Sequence, residues 1–170
     1  QALHSIFAHI PGLKVMMPFF PNDAKNLLIQ AINDPNPVIF IEHRWLHNQL
    51  GTINKTRKVP SIEKIKNGND ITIISSSVMT KEALEIFNIL KKNKISADLL
   101  NINIIKPLEE KKILNSVNKT GRVLVLDFGP SFLSVASEII AIITNKSFKY
   151  LKYPPKKIAL PNFPVPTSYG

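Results

Sequence analysis

The chain has 170 residues, 44% of them apolar and 20% charged, with a net charge of +10 and no cysteine. That apolar share suits one folded domain, or one small domain with part of another, and is too high for a disordered chain. No apolar run is long enough to span a bilayer, and the lack of cysteine excludes disulfide scaffolds, thiolate zinc sites and cysteine nucleophiles, so any metal must be held by oxygen or histidine. The sequence opens at Gln1 with no signal segment and reads as a piece of something longer, expected in the cytoplasm. Asn-x-Ser/Thr triplets at Asn54, Asn118 and Asn145 are read as chance matches in an Asn- and Lys-rich chain.

The positive charge is unevenly placed. Residues 1–50 balance Lys14, Lys25 and Arg44 against Asp23, Asp34 and Glu42, so the whole excess falls in residues 51–170. Such a step marks a domain boundary as well as an electrostatic asymmetry. The lysines are dispersed and lack interleaved aromatics, which argues for a solvated basic surface rather than a nucleic-acid platform.

Val15–Met17 reads as a short strand ending at Pro18. Ala24, Leu27, Leu28, Ala31 and Ile32 then follow at helical spacing, with Asn22 or Asp23 as N-cap. The helix must stop before Asp34–Pro35–Asn36–Pro37, because proline lacks the amide and disfavours a helical predecessor. Val38–Ile41 is a continuous apolar run, expected as a strand covered on both faces. Residues 49–69, rich in Lys, Asn, Thr and Gly, are expected to be a linker.

A second alternating series starts at Ile71–Ser75, a strand. Thr80 is expected to cap a helix that buries Ala83, Leu84, Phe87 and Leu90 and ends in Lys91, Lys92 and Lys94. Ala97–Ile104 is the next strand, and Pro107 is expected to begin a helix that turns Ile113, Leu114 and Val117 inward and stops at Gly121. Arg122–Asp127 is a third strand, followed by a helix over about Phe132–Ile143. The proline-rich tail reads as an extended strap with an edge strand at Lys157–Leu160. Strands alternating with helices predict an α/β fold, an open and mostly parallel sheet with helices on both faces.

The candidate chemistry is sparse. There is no GxGxxG and no Walker A loop, which argues against a nucleotide held in a glycine-rich loop. Ser75–Ser76–Ser77 lies where open sheets bind ligands, although hydroxyls there commonly serve turns and caps. His43 and His47 share a helical spacing, but Arg44 stands where a metalloprotease motif requires glutamate. His9, before a Pro-Gly turn at the start of a strand, reads as a structural hydrogen-bonder, and no serine–histidine–acid order rises above chance. Asp34–Pro35–Asn36–Pro37 brings helix-end carbonyls, a carboxylate and an amide together, oxygens of the kind hard cations need. On the residues alone, a proline-stiffened helix stop is the better account.

Phe7–Ala8–His9–Ile10–Pro11–Gly12–Leu13–Lys14–Val15, Asp23–Ala24–Lys25 and Asn36–Pro37–Val38–Ile39–Phe40–Ile41–Glu42–His43 together resemble the β subunit of thiamine-diphosphate-dependent 2-oxo acid dehydrogenases, of pyruvate, branched-chain and acetoin types, within the transketolase superfamily. The likeness continues in colinear order through Asp70–Ile73, Glu82–Leu84, Ile104–Leu108, Lys119–Arg122, Glu138–Ile139 and Pro161–Pro166. It implies that residues 1–48 close a pyrimidine-binding domain and that 70–170 form the transketolase C-terminal domain. It also implies thiamine diphosphate with magnesium, bound mainly by parts outside this chain, and no catalytic residue within it. A potassium ion would be held by carbonyl and side-chain oxygens at Ala31, Ile32, Asp34 and Asn36. The implied partners are a second chain in a dimer, an α subunit or domain, and a lipoyl acyltransferase component, with neither nucleic acid nor membrane. Phe128–Ser134 departs from the glycine-rich stretch usual in the family. Two other readings stand beside this one: ketol transfer of the transketolase type, and a non-catalytic assembly module whose basic residues, Lys55–Lys58 and Lys156–Lys157, hold an acidic partner.

Overall fold

A computed structural model describes residues 2–53 and 58–165. In chain order its elements are α1 (His4–His9), β1 (Lys14–Met16), α2 (Pro21–Ile32), β2 (Val38–Phe40), β3 (Ile62–Lys66), β4 (Ile71–Ser75), α3 (Val78–Glu85), α4 (Phe87–Lys92), β5 (Ala97–Ile102), β6 (Ile104–Lys106), α5 (Glu110–Thr120), β7 (Val123–Pro130), α6 (Val135–Ser147) and β8 (Lys156–Leu160). They build two sheets, ordered β2-β1-β6 and β3-β5-β4-β7-β8. In the larger sheet β5, β4, β7 and β8 run parallel and β3 is an antiparallel edge, as expected of an open, mostly parallel α/β sheet.

Side chains alternate across this sheet, so each strand feeds two cores. Ile74, Leu100 and Val125 point to the layer of α5 and α6, where Ile113, Val117, Ile139 and Ile143 close the packing. Ile73, Leu99 and Leu126 meet Ala83, Leu84, Phe87 and Leu90 of α3 and α4 on the other face. The smaller sheet packs Met16 against Leu27 of α2 and against Val59.

Several expectations change. The segment read as one strand over Ala97–Ile104 is two: it breaks at buried Asn103 and crosses from the large sheet into the small one. Asn103 holds the crossing by accepting from Met17 N through its carbonyl and donating its own N–H to the Ser61 carbonyl, each at 2.8 Å. β3 falls inside the stretch read as a linker, because Ile62 packs into the main core although the residues around it are polar. Thr80 does not cap a helix. The helix begins earlier, at Val78, and buried Thr80 donates to Asn101 Oδ1 at 2.7 Å. Continuity is also lost at Ile86, which separates α3 from α4.

Beyond Pro107 the helix starts only at Glu110, and it stops where expected, at Gly121 with φ +70°. The next helix is capped by Ser134, whose hydroxyl accepts from Ser137 N, and it runs to Ser147 rather than Ile143. β2 is half-buried instead of covered on both faces, because it is the edge of its three-stranded sheet. α1, for which no periodicity argues, turns the first residues into a helix.

Asp98 at the start of β5 is the electrostatic centre of the larger domain. Its buried carboxylate accepts from Gly68 N at 2.7 Å, Ser116 Oγ at 2.5 Å, Lys119 Nζ at 2.8 Å and Lys64 Nζ at 3.0 Å. Burial alone would raise its pKa, but these donors outweigh burial and hold it at about 2. Gly68 is required there, since a Cβ would lie 2.3 Å from Ala97 backbone atoms. Exchanging Asp98 for Ala leaves two lysines and a buried amide without their acceptor and is expected to cost about 3 kcal/mol in urea unfolding. The native carboxylate's contribution is present above pH 3.8 and lost as pH falls through about 2, so acid unfolding of the wild type should show this loss and the variant should not.

Candidate functional site

Among the described residues, three places besides the Asp98 network carry polar chemistry. The first is the loop after α2. Lys14 Nζ donates to Asp34 Oδ2 at 2.5 Å, while Asp34 Oδ1 accepts from Asn36 N at 3.0 Å and Asn36 Nδ2 at 2.8 Å. The Lys14 ammonium, followed by the Asn36 donors, lowers the Asp34 pKa to about 2. The two side chains expected to offer oxygens to a cation are thus bonded to each other and to a lysine. The main chain at the C-terminal end of α2 remains, including the carbonyl of Ala31, which accepts from Asp34 N at 3.3 Å. That end carries the negative pole of the helix dipole, and neutral carbonyls there suit a monovalent cation.

The second place is the carboxyl end of β4. Ser75 Oγ, Thr80 Oγ1, Asn101 and Asn103 form one buried chain of hydrogen bonds, so Ser75 serves the fold rather than a ligand. Ser77 takes φ +49° at the turn into α3, a left-handed conformation that favours glycine. His4 lies beside this end of the sheet, across from β7. Its Nε2 donates to Asp127 Oδ1 at 3.0 Å, and both side chains are buried. Asp127 also accepts from Gly129 N at 2.8 Å and from Ala136 N, in the first turn of α6, at 3.1 Å. Burial raises the Asp127 pKa, but the His4 hydrogen bond and charge, with the two amides, overcome it and leave the pKa lowered. At this end of the sheet, where open sheets hold ligands, His4 of α1 lines a small crevice together with Ser75, Asp127 and Ala136. His4 and Asp127 stand 123 residues apart, and no local pattern in the sequence could have joined them.

The third place is a cleft of about 350 Å³ at the carboxyl ends of parallel β1 and β2. Pro18, Phe19 and Phe20 form one wall and Glu42, His43 and His47 the other. His43 and His47 therefore do share a site, but among the described residues no three histidine or acidic side chains group as metal ligands. His43 instead caps a short 3-10 turn, accepting from Trp45 N at Nδ1, and His47 Nε2 lies 3.9 Å from Glu42 Oε2. His9 is exposed at the last turn of α1.

Residues 61–170 match the family model "Transketolase, C-terminal domain" and residues 1–49 match "Transketolase, pyrimidine binding domain". The chain belongs to the transketolase family. It is 36% identical over 169 residues to "Pyruvate dehydrogenase E1 component subunit beta" of Rickettsia bellii, covering 98% of this chain and 52% of that one. It is 37% identical over 171 residues to "Acetoin:2,6-dichlorophenolindophenol oxidoreductase subunit beta" of Cupriavidus necator, covering 99% and 51%. The mitochondrial pyruvate dehydrogenase E1 subunit beta-1 of Oryza sativa is 38% identical, with 98% and 46% covered. The chain therefore spans about half the length of the curated relatives it matches. Among solved structures, "Split gene transketolase, inactive beta4 tetramer" superposes with a TM-score of 0.80 at 18% identity, covering 95% of this chain and 53% of that one, a likeness of fold alone. No helix among the described residues is long and apolar enough to cross a membrane.

His4→Ala removes the donor to a buried carboxylate that ties the first matched region to the second, and is expected to cost about 2–3 kcal/mol. Hydrogen exchange should show α1 losing protection while β4 and β5 keep theirs. The same tie weakens with acid. The Asp127 contribution is present above its unfolded pKa of 3.8 and falls away below it, so wild-type α1 should lose protection under acid before the strands do.

Proposed function

We propose that this chain is the C-terminal portion of the β subunit of a thiamine-diphosphate-dependent 2-oxo acid dehydrogenase, acting on pyruvate or a related acid and passing the acyl group to a lipoyl domain. The observation that carries the reading is the likeness to E1-type β subunits, continuous over nearly the whole chain. Residues 1–48 would complete a pyrimidine-binding domain and 70–170 would form the C-terminal domain, with β3 of the intervening stretch built into the larger sheet. Assembly with an α-type subunit and a second β chain, and a cytoplasmic setting, belong to the same proposal.

Thiamine diphosphate with magnesium, which supplies a carbanion for decarboxylation when bound, does not fit this chain by itself. The described residues offer no acidic cluster for a divalent ion, and no glycine-rich loop is present to cradle a diphosphate. What this part contributes is a rigid support for the rest of the pyrimidine domain. The expected outcome is that the 170-residue chain, given thiamine diphosphate, magnesium and pyruvate, does not reduce 2,6-dichlorophenolindophenol. A version extended by its upstream reading frame and combined with its α-type partner should do so. Turnover by the 170-residue chain, or none by the extended complex, overturns the reading.

The potassium site at Ala31, Ile32, Asp34 and Asn36 is part of this proposal, now through main-chain oxygens. The Lys14–Asp34 pair then fixes the loop rather than ligating. Replacing sodium by potassium at ten times its Kd should raise the melting temperature by about 3 °C. Asp34→Ala should abolish that rise, and an equal response to both ions would rule the site out.

Of the residues on which the assembly-module reading rests, Lys55–Arg57 lie outside the described residues, and Lys58 and Lys156 are exposed. Lys157 donates internally to Ser131 O at 2.6 Å and Ser137 Oγ at 2.5 Å, which pins the strap instead of presenting a charge.

A further inference from the structure

The packing that makes glycine obligatory at position 68 also creates a reactive dipeptide. Asn67–Gly68 is the one Asn-Gly step in the sequence. It lies in the connection between β3 and β4, with Asn67 exposed and Gly68 buried. A Cβ at 68 would sit 2.3 Å from the N and C atoms of the Ala97 main chain and would collide with Ser96 as well, so lack of space excludes any side chain there. Without a Cβ, nothing shields the Gly68 nitrogen from the Asn67 side-chain amide, and a freely flexing chain closes such a step on itself.

Closure needs only water. The Gly68 nitrogen gives its proton to a solvent base and attacks Asn67 Cγ, while the side-chain nitrogen takes a proton from water and leaves as ammonia. A cyclic imide results. Water then opens it at either carbonyl, leaving aspartate at 67 or an isoaspartate whose main chain runs through the side chain and is one methylene longer.

In the fold the Gly68 nitrogen is not free to react. It donates to Asp98 Oδ1 at 2.7 Å, and Lys119, Ser116 and Lys64 hold that carboxylate in place. With a pKa of about 2, the acceptor is ionised wherever the nitrogen can lose its proton. The two lysines neutralise the carboxylate, so the protection comes from the hydrogen bond rather than from a negative field. Beyond the dipeptide, Asp70 N donates to Ser96 O at 2.8 Å and Asp70 Oδ2 accepts from Ser96 N at 2.7 Å, which fastens the connection to the start of β5. To attack Asn67, the nitrogen must leave both its acceptor and the gap beside Ala97.

We propose that Asn67–Gly68 is a latent self-modification site, held unreacted by the Asp98 carboxylate and released when β3 detaches from β5. The isoaspartyl product cannot regain the native sheet, because the added methylene displaces Gly68 from a gap with no room for a methyl group. A transient opening of this edge strand thus becomes a permanent mark on the chain. The site is separate from the decarboxylase reading, which neither requires it nor falls with it.

Mass-spectrometric peptide mapping of the 170-residue chain at pH 8, folded and in denaturing urea, tests the assignment. The unfolded chain should convert at Asn67, and the folded chain at least about ten-fold more slowly, the factor that a hydrogen bond to a charged acceptor supplies. Asp98→Asn, shown to be folded by circular dichroism, should convert about ten-fold faster than the folded wild type. One arm needs no variant and decides alone if Asp98→Asn does not fold: the Gly68 amide of the folded wild type should exchange hydrogen at least about ten-fold more slowly than in the unfolded chain. After the urea is removed, chains carrying isoaspartate should leave β3 unprotected from exchange, whereas Asn67→Asp, which adds the charge without the methylene, should fold with β3 protected. Equal conversion in folded and unfolded chains, a folded Asp98→Asn that converts no faster, unprotected exchange at Gly68, or an isoaspartyl chain with β3 protected each overturn the proposal.

Discussion

The crossing at Asn103 is the constraint on which the rest of the structure depends. One extended segment, residues 97–106, is the inner strand β5 of the large sheet and then the edge strand β6 of the small one, so the two sheets cannot move apart without tearing a ladder. The Asn103 backbone bonds Met17 on one side and Ser61 on the other, and its side chain bonds Asn101 and the Pro60 carbonyl. A buried asparagine with all these groups satisfied costs little to desolvate and specifies a single geometry. Because Met17 immediately precedes Pro18, the same junction fixes one wall of the cleft. His4 and Asp127 add a second tie between the same two regions, and Phe128, packed on both His4 and His43, joins that tie to the other wall.

The lysine excess looks different once the fold is known. Lys106 Nζ donates to the carbonyls of Ala8 and Ile10 at the end of α1, Lys112 to that of Ile62, and Lys152 to that of Thr120. Lys14, Lys64 and Lys119 neutralise Asp34 and Asp98. Lys146 pairs with Glu110 across α6 and α5. The long aliphatic stem allows an ammonium to reach carbonyls at the ends of helices and strands while its methylenes cover apolar surface. A good part of the positive charge is therefore internal clamping, in line with its dispersal along the sequence. The acceptors are chiefly strand-end and helix-end groups, which is why the lysines follow the elements rather than clustering.

Much of the larger domain was legible residue by residue. Ile71–Ser75 and Arg122–Asp127 are apolar runs of strand length flanked by polar or turn residues; the first is a strand over those same residues, and the second starts one residue later and runs three residues further, to Pro130. Ile113 and Val117 were expected to face inward and do, and Gly121 ends α5 because a left-handed residue was needed there. β3 escaped notice because only Ile62 of its residues is fully buried, and an edge strand facing water on one side carries little periodicity. α1 escaped because its six residues are too few to show a helical pattern, and what anchors it is an aspartate far along the chain. In the candidate sites the residue types were visible but not their partners. Asp34 was seen as an oxygen donor, but its pairing with Lys14 depends on β1 lying alongside the loop. His43 and His47 were seen as a pair, but the phenylalanines opposite them belong to a different loop.

The sequence by itself determined the alternation of strands and helices, the proline stop after α2 and the family, because these follow from local periodicity and from colinear motifs. Only the tertiary structure decided where residue 103 sends the chain, which carboxylates are buried beneath lysines and histidine, and which loops meet to form a cleft. Those outcomes depend on contacts between residues up to 123 positions apart, whose energies come from desolvation and hydrogen-bond geometry and leave no trace in any short window of sequence.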